Sequence, residues 1–179
     1  MVEGVRGRVI EFGCGRGSSA PCFAAGRHTL CPVIGLERSV MPLRTAERRF
    51  ASARVAFSPV ASSVEQLPIA GHSVDVIVMC FVMCSVADPG QMLREAARVL
   101  RPDGTLRFAE HGLAPAPVIA HIQRGLTPIW RRIAGGCCLD RDVLALFRAH
   151  GFAVDELSSS SSFGDPLTHV YRGVARVRP

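Results

Sequence analysis

An apolar stretch, Arg8-Val9-Ile10-Glu11-Phe12, runs without a break into Gly13-Cys14-Gly15-Arg16-Gly17. This junction constrains the fold more than any other segment. Glycines at alternate positions let the backbone approach a ligand where a side chain would stand in the way. In open α/β sheets such turns lie outside the carboxyl ends of the strands, where nucleotide-type ligands bind. Glu37 closes the next apolar run. It lies about twenty residues beyond the turn, the spacing at which a carboxylate accepts from ribose hydroxyls. Ser18 stands where a dinucleotide-binding turn places its third glycine, which argues against a nicotinamide-dependent oxidoreductase.

The chain of 179 residues reads as a single domain, 1–179. Strands are expected at 9–12, 32–36, 54–57, 74–79, 105–109, 152–157 and 167–177. Helices are expected at 18–25, 40–51, 89–100 and 118–133, the last interrupted by Gly125 and Pro128. A further helix is expected to run from a cap at Asp140 to His150. Asp88 before Pro89 fits a capping residue followed by proline in the first turn. Pro102-Asp103-Gly104 reads as a turn, and Ser158 to Ser162 as a flexible loop. Alternating strands and helices imply a mostly parallel sheet with helices on both faces. The two final strands have no helix between them and are expected to be antiparallel.

Composition narrows the function. At 48% hydrophobic and 20% charged the chain is globular in character. Its net charge of +6 comes entirely from arginine, since it contains no lysine. Arg44, Arg48 and Arg49 form one cluster, and Arg124, Arg131 and Arg132 another. Neither is interleaved with aromatic residues, so no nucleic-acid partner is expected. Seven cysteines occur without a C-x-x-C pair, so no zinc ribbon and no metal is expected. Most of them read as buried thiols in a reducing cytosol, and the expected location is cytoplasmic. Glu3 and Arg8 argue against a signal peptide, and Val74 to Ala87 is too short to span a bilayer.

The motifs resemble those of class I S-adenosylmethionine-dependent methyltransferases. Val9-Ile10-Glu11-Phe12-Gly13-Cys14-Gly15-Arg16-Gly17 is similar to their first motif, and Val33 to Ser39 to their second. Ser63 to Pro68 resembles the adenine-contacting loop, Ser73 to Cys80 the fourth strand, and Arg98 to Leu106 the turn before the fifth. The segments around Cys84, His111 and Trp130 resemble the small-molecule branch that includes methyltransferase-like thiol S-methyltransferases. The resemblance implies a Rossmann-like, seven-stranded, mostly parallel sheet with an antiparallel final strand. It implies S-adenosyl-L-methionine as cofactor and a small-molecule methyl acceptor, with a thiol as one candidate.

Carried onto this sequence, the resemblance assigns cofactor contacts to Glu11, Gly13, Cys14, Gly15, Gly17, Glu37, Arg38, Ser63, Val64, Glu65, Met79 and Cys80. Glu11 would serve the amino group of the cofactor, and Glu37 its ribose. His111, after the fifth strand, is the candidate base for a thiol acceptor, because imidazole titrates near neutrality. Gln123, Trp130, Cys137 and Cys138 are expected on the acceptor side. Members of this family carry helices ahead of the first strand, which here begins by Arg8. The expectation is an open site, a homodimer or covering partner that completes it, or a shortened chain. The alternative is a catalytically inactive scaffold of the same fold.

Overall fold

The computed structural model describes residues 2, 4–26, 32–162 and 165–178. Seven strands form one sheet in the order β3-β2-β1-β4-β5-β7-β6. They are β1 (Val9–Phe12), β2 (Val33–Glu37), β3 (Phe57–Ala61), β4 (Val74–Cys80), β5 (Leu100–His111), β6 (Phe152–Ser162) and β7 (Asp165–Val177). β7 runs antiparallel to both β5 and β6, and the other ladders are parallel. The expected sheet is therefore found. The strand order reverses between β1 and β4, and a crevice opens at such a switch point.

Alternation along the central strands separates two cores. Val9, Val33, Val76 and Val78 pack with Phe23 of α1 (Ala20–Ala25) and Phe50 of α2 (Val40–Ser52). Ile10, Phe12, Ile77 and Met79 pack on the opposite face. That face is covered by Met92, Leu93 and Ala96 of α3 (Pro89–Val99) and by Val143 and Phe147 of α5 (Val143–Ala149). Side chains of successive strand residues point to opposite faces, so one parallel strand supplies both cores. α3 begins as its sequence suggests, with Asp88 Oδ1 accepting from Gln91 N at 2.8 Å.

Several expected boundaries move. β3 begins at Phe57, where the 54–57 reading ended. Arg54 adopts φ 57° in the turn after α2, and Pro59 is tolerated because β3 is an edge strand. Residues 101–104 are not a free turn but a bulged part of β5, between the pairs Val74–Leu100 and Val76–Thr105. The polar 158–162 segment is strand, not loop, because its backbone pairs with β7. It forms the sheet edge, and Ser158 to Ser161 are solvated there. α5 is capped by Asp142 rather than Asp140, with Oδ1 accepting from Ala145 N at 2.9 Å.

α4 (Pro117–Ile133) continues through Gly125 and Pro128 as one helix. It leaves Val118, Ile122, Leu126, Ile129 and Ile133 exposed along its length. Among the described residues no helix is long and apolar enough to cross a membrane.

Gly17 shows how the turn after β1 joins the packing. Its φ is +75°, and a Cβ there would lie 2.8 Å from Ala46 Cα in α2. Gly17→Ala combines left-handed backbone strain with a backbone clash and is expected to cost roughly 1–3 kcal/mol. Urea unfolding measures this; an unchanged midpoint would contradict the close packing of the turn on α2.

Candidate active site

Two cavities lie at the carboxyl ends of the central strands and meet at Gly13 and Phe81. The first, about 310 Å³, is lined by Leu36, Glu37 and Arg38 from the end of β2, by Ser63, Val64 and Glu65, and by the 81–86 loop after β4. The second, about 770 Å³, is lined by Glu11, Cys14, Gly15, Arg16, Ser18 and Ser19 and by Cys80 at the end of β4. Cys14 N donates to Leu36 O at 3.0 Å, which fixes the turn against β2. Gly13 has φ 57°, and a Cβ on it would come 2.6 Å from Val82 Cγ2. Only glycine lets β1 turn that close to the loop after β4.

The structure therefore gathers most of the expected cofactor contacts around one continuous cleft. Glu37, Arg38, Ser63, Val64 and Glu65 line one end. Glu11, Cys14, Gly15 and Cys80 line the other, with Gly13 shared. Gly17 lies behind the turn, against α2, and lines neither cavity. Met79 is also placed elsewhere: it is fully buried on the α3 face, because strand alternation points it away from the cleft that Cys80 faces.

The two ends differ chemically. Glu37 is half-buried and accepts from Ser39 N at 3.1 Å through Oε1. Glu65 is held in place, with Oε1 accepting from Asp88 N at 2.7 Å and Oε2 from the Ser63 hydroxyl at 3.0 Å. Glu11 is buried, and its Oε2 has no hydrogen-bond partner. Burial raises its pKa from 4.5 to about 7; the nearby Ser19 hydroxyl opposes the rise from outside hydrogen-bond geometry. Glu11 lines the second cavity, and a buried carboxyl with an unpartnered oxygen favours a ligand cation beside it. Burial, with Glu11 and Glu37 nearby, pushes the Cys14 thiol up to about 12. Burial and the Glu110 and Glu11 carboxylates do the same to Cys80. Neither thiol is poised as a nucleophile.

His111 lines neither cavity. Its ring packs on Phe81 with centroids 4.4 Å apart, and its Nδ1 lies 3.6 Å from Cys137 Sγ. Cys84 completes a trio whose ligand atoms all lie within 4.8 Å of one another. The trio comes from three separate segments, so no spacing in the chain announces it. Gln123 does not face the cleft. It is fully buried, with Oε1 accepting from Ala114 N at 2.7 Å and Nε2 donating to Gly112 O and Leu167 O. Trp130 packs with Cys84, Cys137 and Leu139, and Cys138 is buried beside them.

Glu110, which the sequence reading did not single out, ties the two sides of the loop after β4 together. It is fully buried and accepts from Val82 N at 2.7 Å and Cys84 N at 3.2 Å. Burial raises its pKa to about 7 against the opposing backbone hydrogen bonds.

Comparison with known proteins shows the family and the fold. A family model described as a methyltransferase domain matches residues 10–108. Human thiol S-methyltransferase TMT1B is 35% identical over 146 residues, covering 79% of this chain and 59% of that protein. Human thiol S-methyltransferase TMT1A is 32% identical over 137 residues, covering 75% and 55% respectively. The chain thus spans a little over half the length of these relatives. Among solved structures, a putative methyltransferase from Bacillus halodurans superposes with TM-score 0.78 at 14% identity, covering 99% of this chain and 96% of that one. Geranyl diphosphate methyltransferase in complex with SAM gives TM-score 0.72 at 15% identity, covering 95% and 77%.

The raised carboxyl pKa of Glu11 has a measurable sign. Between about pH 4.5 and 7 the native Glu11 holds a proton that the unfolded chain releases, so it contributes stability that falls as pH rises through that window. The contribution is on the order of 3 kcal/mol at most. Urea midpoints at pH 5 and pH 7.5 are expected to fall more for the unliganded wild type than for Glu11→Gln. Equal falls would contradict a buried, unpaired carboxyl.

Proposed function

The chain belongs to the methyltransferase family, and from that premise we propose that it seats S-adenosyl-L-methionine along the cleft and methylates a small molecule, a thiol before other acceptors. One observation carries the cofactor reading. A carboxylate on the β2 end and, on the β1 end, a carboxyl with one unpartnered oxygen line two cavities that join over Gly13. The donor and acceptor demands of the cofactor match this layout. Its ribose offers two hydroxyl donors to Glu37, and its ammonium group suits Glu11. Its adenine suits the mixed wall of Ser63, Val64 and Leu36.

The bound cofactor supplies an electrophilic methyl group on a sulfonium, and the protein contributes chiefly proximity and orientation. Glu37 fixes the sugar by charge-assisted hydrogen bonds. Glu11, in its ionised form, pairs with the ammonium and sets the depth of the amino-acid portion. Phe81, 44% exposed at the junction of the cavities, shields the cleft from water at its midpoint. The thiol preference is supported by the thiol S-methyltransferase relatives, which share about a third of their aligned residues with this chain.

Two measurements test the reading. Glu37→Ala is expected to weaken S-adenosylhomocysteine binding roughly 10- to 100-fold, the worth of charged hydrogen bonds, in calorimetry. Unchanged affinity would remove Glu37 from the site. Incubation with S-adenosylmethionine and panels of thiols, phenols and amines, read by mass spectrometry, is expected to give methylated thiol. Cofactor binding without transfer to any acceptor would favour the inactive scaffold, and transfer only to phenols or amines would overturn the thiol preference.

A further inference from the structure

We propose that Cys84, His111 and Cys137 hold a soft divalent cation of the zinc class, as a two-sulfur, one-nitrogen site whose fourth position is left to an exogenous ligand. The three donors lie within reach of one ion. Tetrahedral zinc, with Zn–S near 2.3 Å and Zn–N near 2.0–2.1 Å, sets sulfur and nitrogen about 3.6 Å apart and two sulfurs about 3.8 Å apart. Cys137 Sγ and His111 Nδ1 are separated by 3.6 Å, and all three ligand atoms fit within 4.8 Å. Cysteine sulfur and imidazole are the donors that select zinc over magnesium or calcium.

The backbone around the trio is built rather than incidental. Glu110 accepts from Cys84 N, and Cys138 N donates to Cys84 O at 2.8 Å, joining the two cysteine loops. Arg141 donates to the Met83 and Val86 carbonyls and pins the loop that carries Cys84. A second, independent observation points the same way. The Trp130 indole N–H is buried, near the Cys137 thiol but outside hydrogen-bond geometry, and the ring packs on the cluster of Cys84, Cys137 and Leu139. A metal-bound thiolate is the acceptor such a donor lacks, and outer-shell donors of this kind tune metal sites.

Three protein ligands leave a tetrahedral ion one exchangeable position, as in catalytic rather than structural zinc sites. The trio lies directly behind the wall of the cleft. His111 stacks on Phe81, and the Ser85 hydroxyl lies 3.4 Å from Cys84 Sγ; both Phe81 and Ser85 line the Glu37 cavity. Loading breaks each cysteine S–H bond, forms a metal–sulfur bond and releases both protons to solvent. That a thiol would fill the open position rests on the acceptor reading above; the cation site itself does not.

The test is cobalt substitution of the whole chain. Protein stripped with chelator and kept reduced by a phosphine is titrated with Co²⁺. One equivalent is expected to give intense tetrahedral d–d bands and a near-ultraviolet sulfur-to-cobalt band. Cys84→Ser and Cys137→Ser are expected to lose that band, Cys138→Ser to keep it, and Trp130→Phe to weaken affinity roughly tenfold. Should the cysteine variants not fold, zinc-edge X-ray absorption of the wild type counts the donors directly, with two sulfurs and an imidazole expected. Absent cobalt bands, a different sulfur count, or a band that survives both cysteine variants would overturn the site. Adding 2-mercaptoethanol is expected to strengthen the charge-transfer band, and no change would overturn the open position. A cobalt site that forms in a protein that methylates no thiol would sink the acceptor reading and leave the cation site standing.

Discussion

The approach of the β1 turn to the loop after β4 governs the rest of the site. At Gly13 the turn lies so close to the Val82 side chain that one added carbon would meet its Cγ2 at 2.6 Å. The closeness brings a cavity rimmed by Glu37 and one walled by Glu11 into a single cleft. Without it the β2 carboxylate and the β1 carboxyl would face separate pockets, and an extended nucleoside could not span both. The sheet order places the junction where β1 and β4 pair, at the reversal of strand order.

Burial sets the chemistry around that junction. Burial takes Glu11 and Glu110 out of water and pushes both carboxyls up to about 7, yet they serve different ends. Glu110 spends its oxygens on backbone amides and fixes the loop that carries Phe81, Val82 and Cys84. Glu11 lines the cavity and keeps one buried oxygen without a partner. A buried carboxyl left unsatisfied costs stability in the unliganded protein, and a cationic ligand group recovers that cost.

Much of this was legible in the chain. The glycine turn and Glu37 sit where the motif spacing put them, and the parallel strands are apolar runs that periodicity can detect. What failed was local and has local causes. Met79 and Cys80 are neighbours in sequence, but alternation sends one into the core and the other to the cleft. Ser158 to Ser162 looks like a loop because its side chains are polar, whereas an edge strand is held by backbone pairing alone. Gln123 resembled an acceptor contact, yet its amide stitches Gly112, Ala114 and Leu167 together. The Cys84–His111–Cys137 trio was invisible as a unit, because the loop after β4, the end of β5 and the turn after α4 converge only in the fold.

The central claim is that one nucleoside-bearing ligand lies across Gly13, with its sugar at Glu37 and its amino-acid end at Glu11. A crystal structure of the protein soaked with S-adenosylhomocysteine tests this most directly. The account predicts continuous density through both cavities, with ribose oxygens on the Glu37 carboxylate and the ammonium beside Glu11. Density confined to one cavity, a reversed ligand, or binding elsewhere on the surface would contradict it.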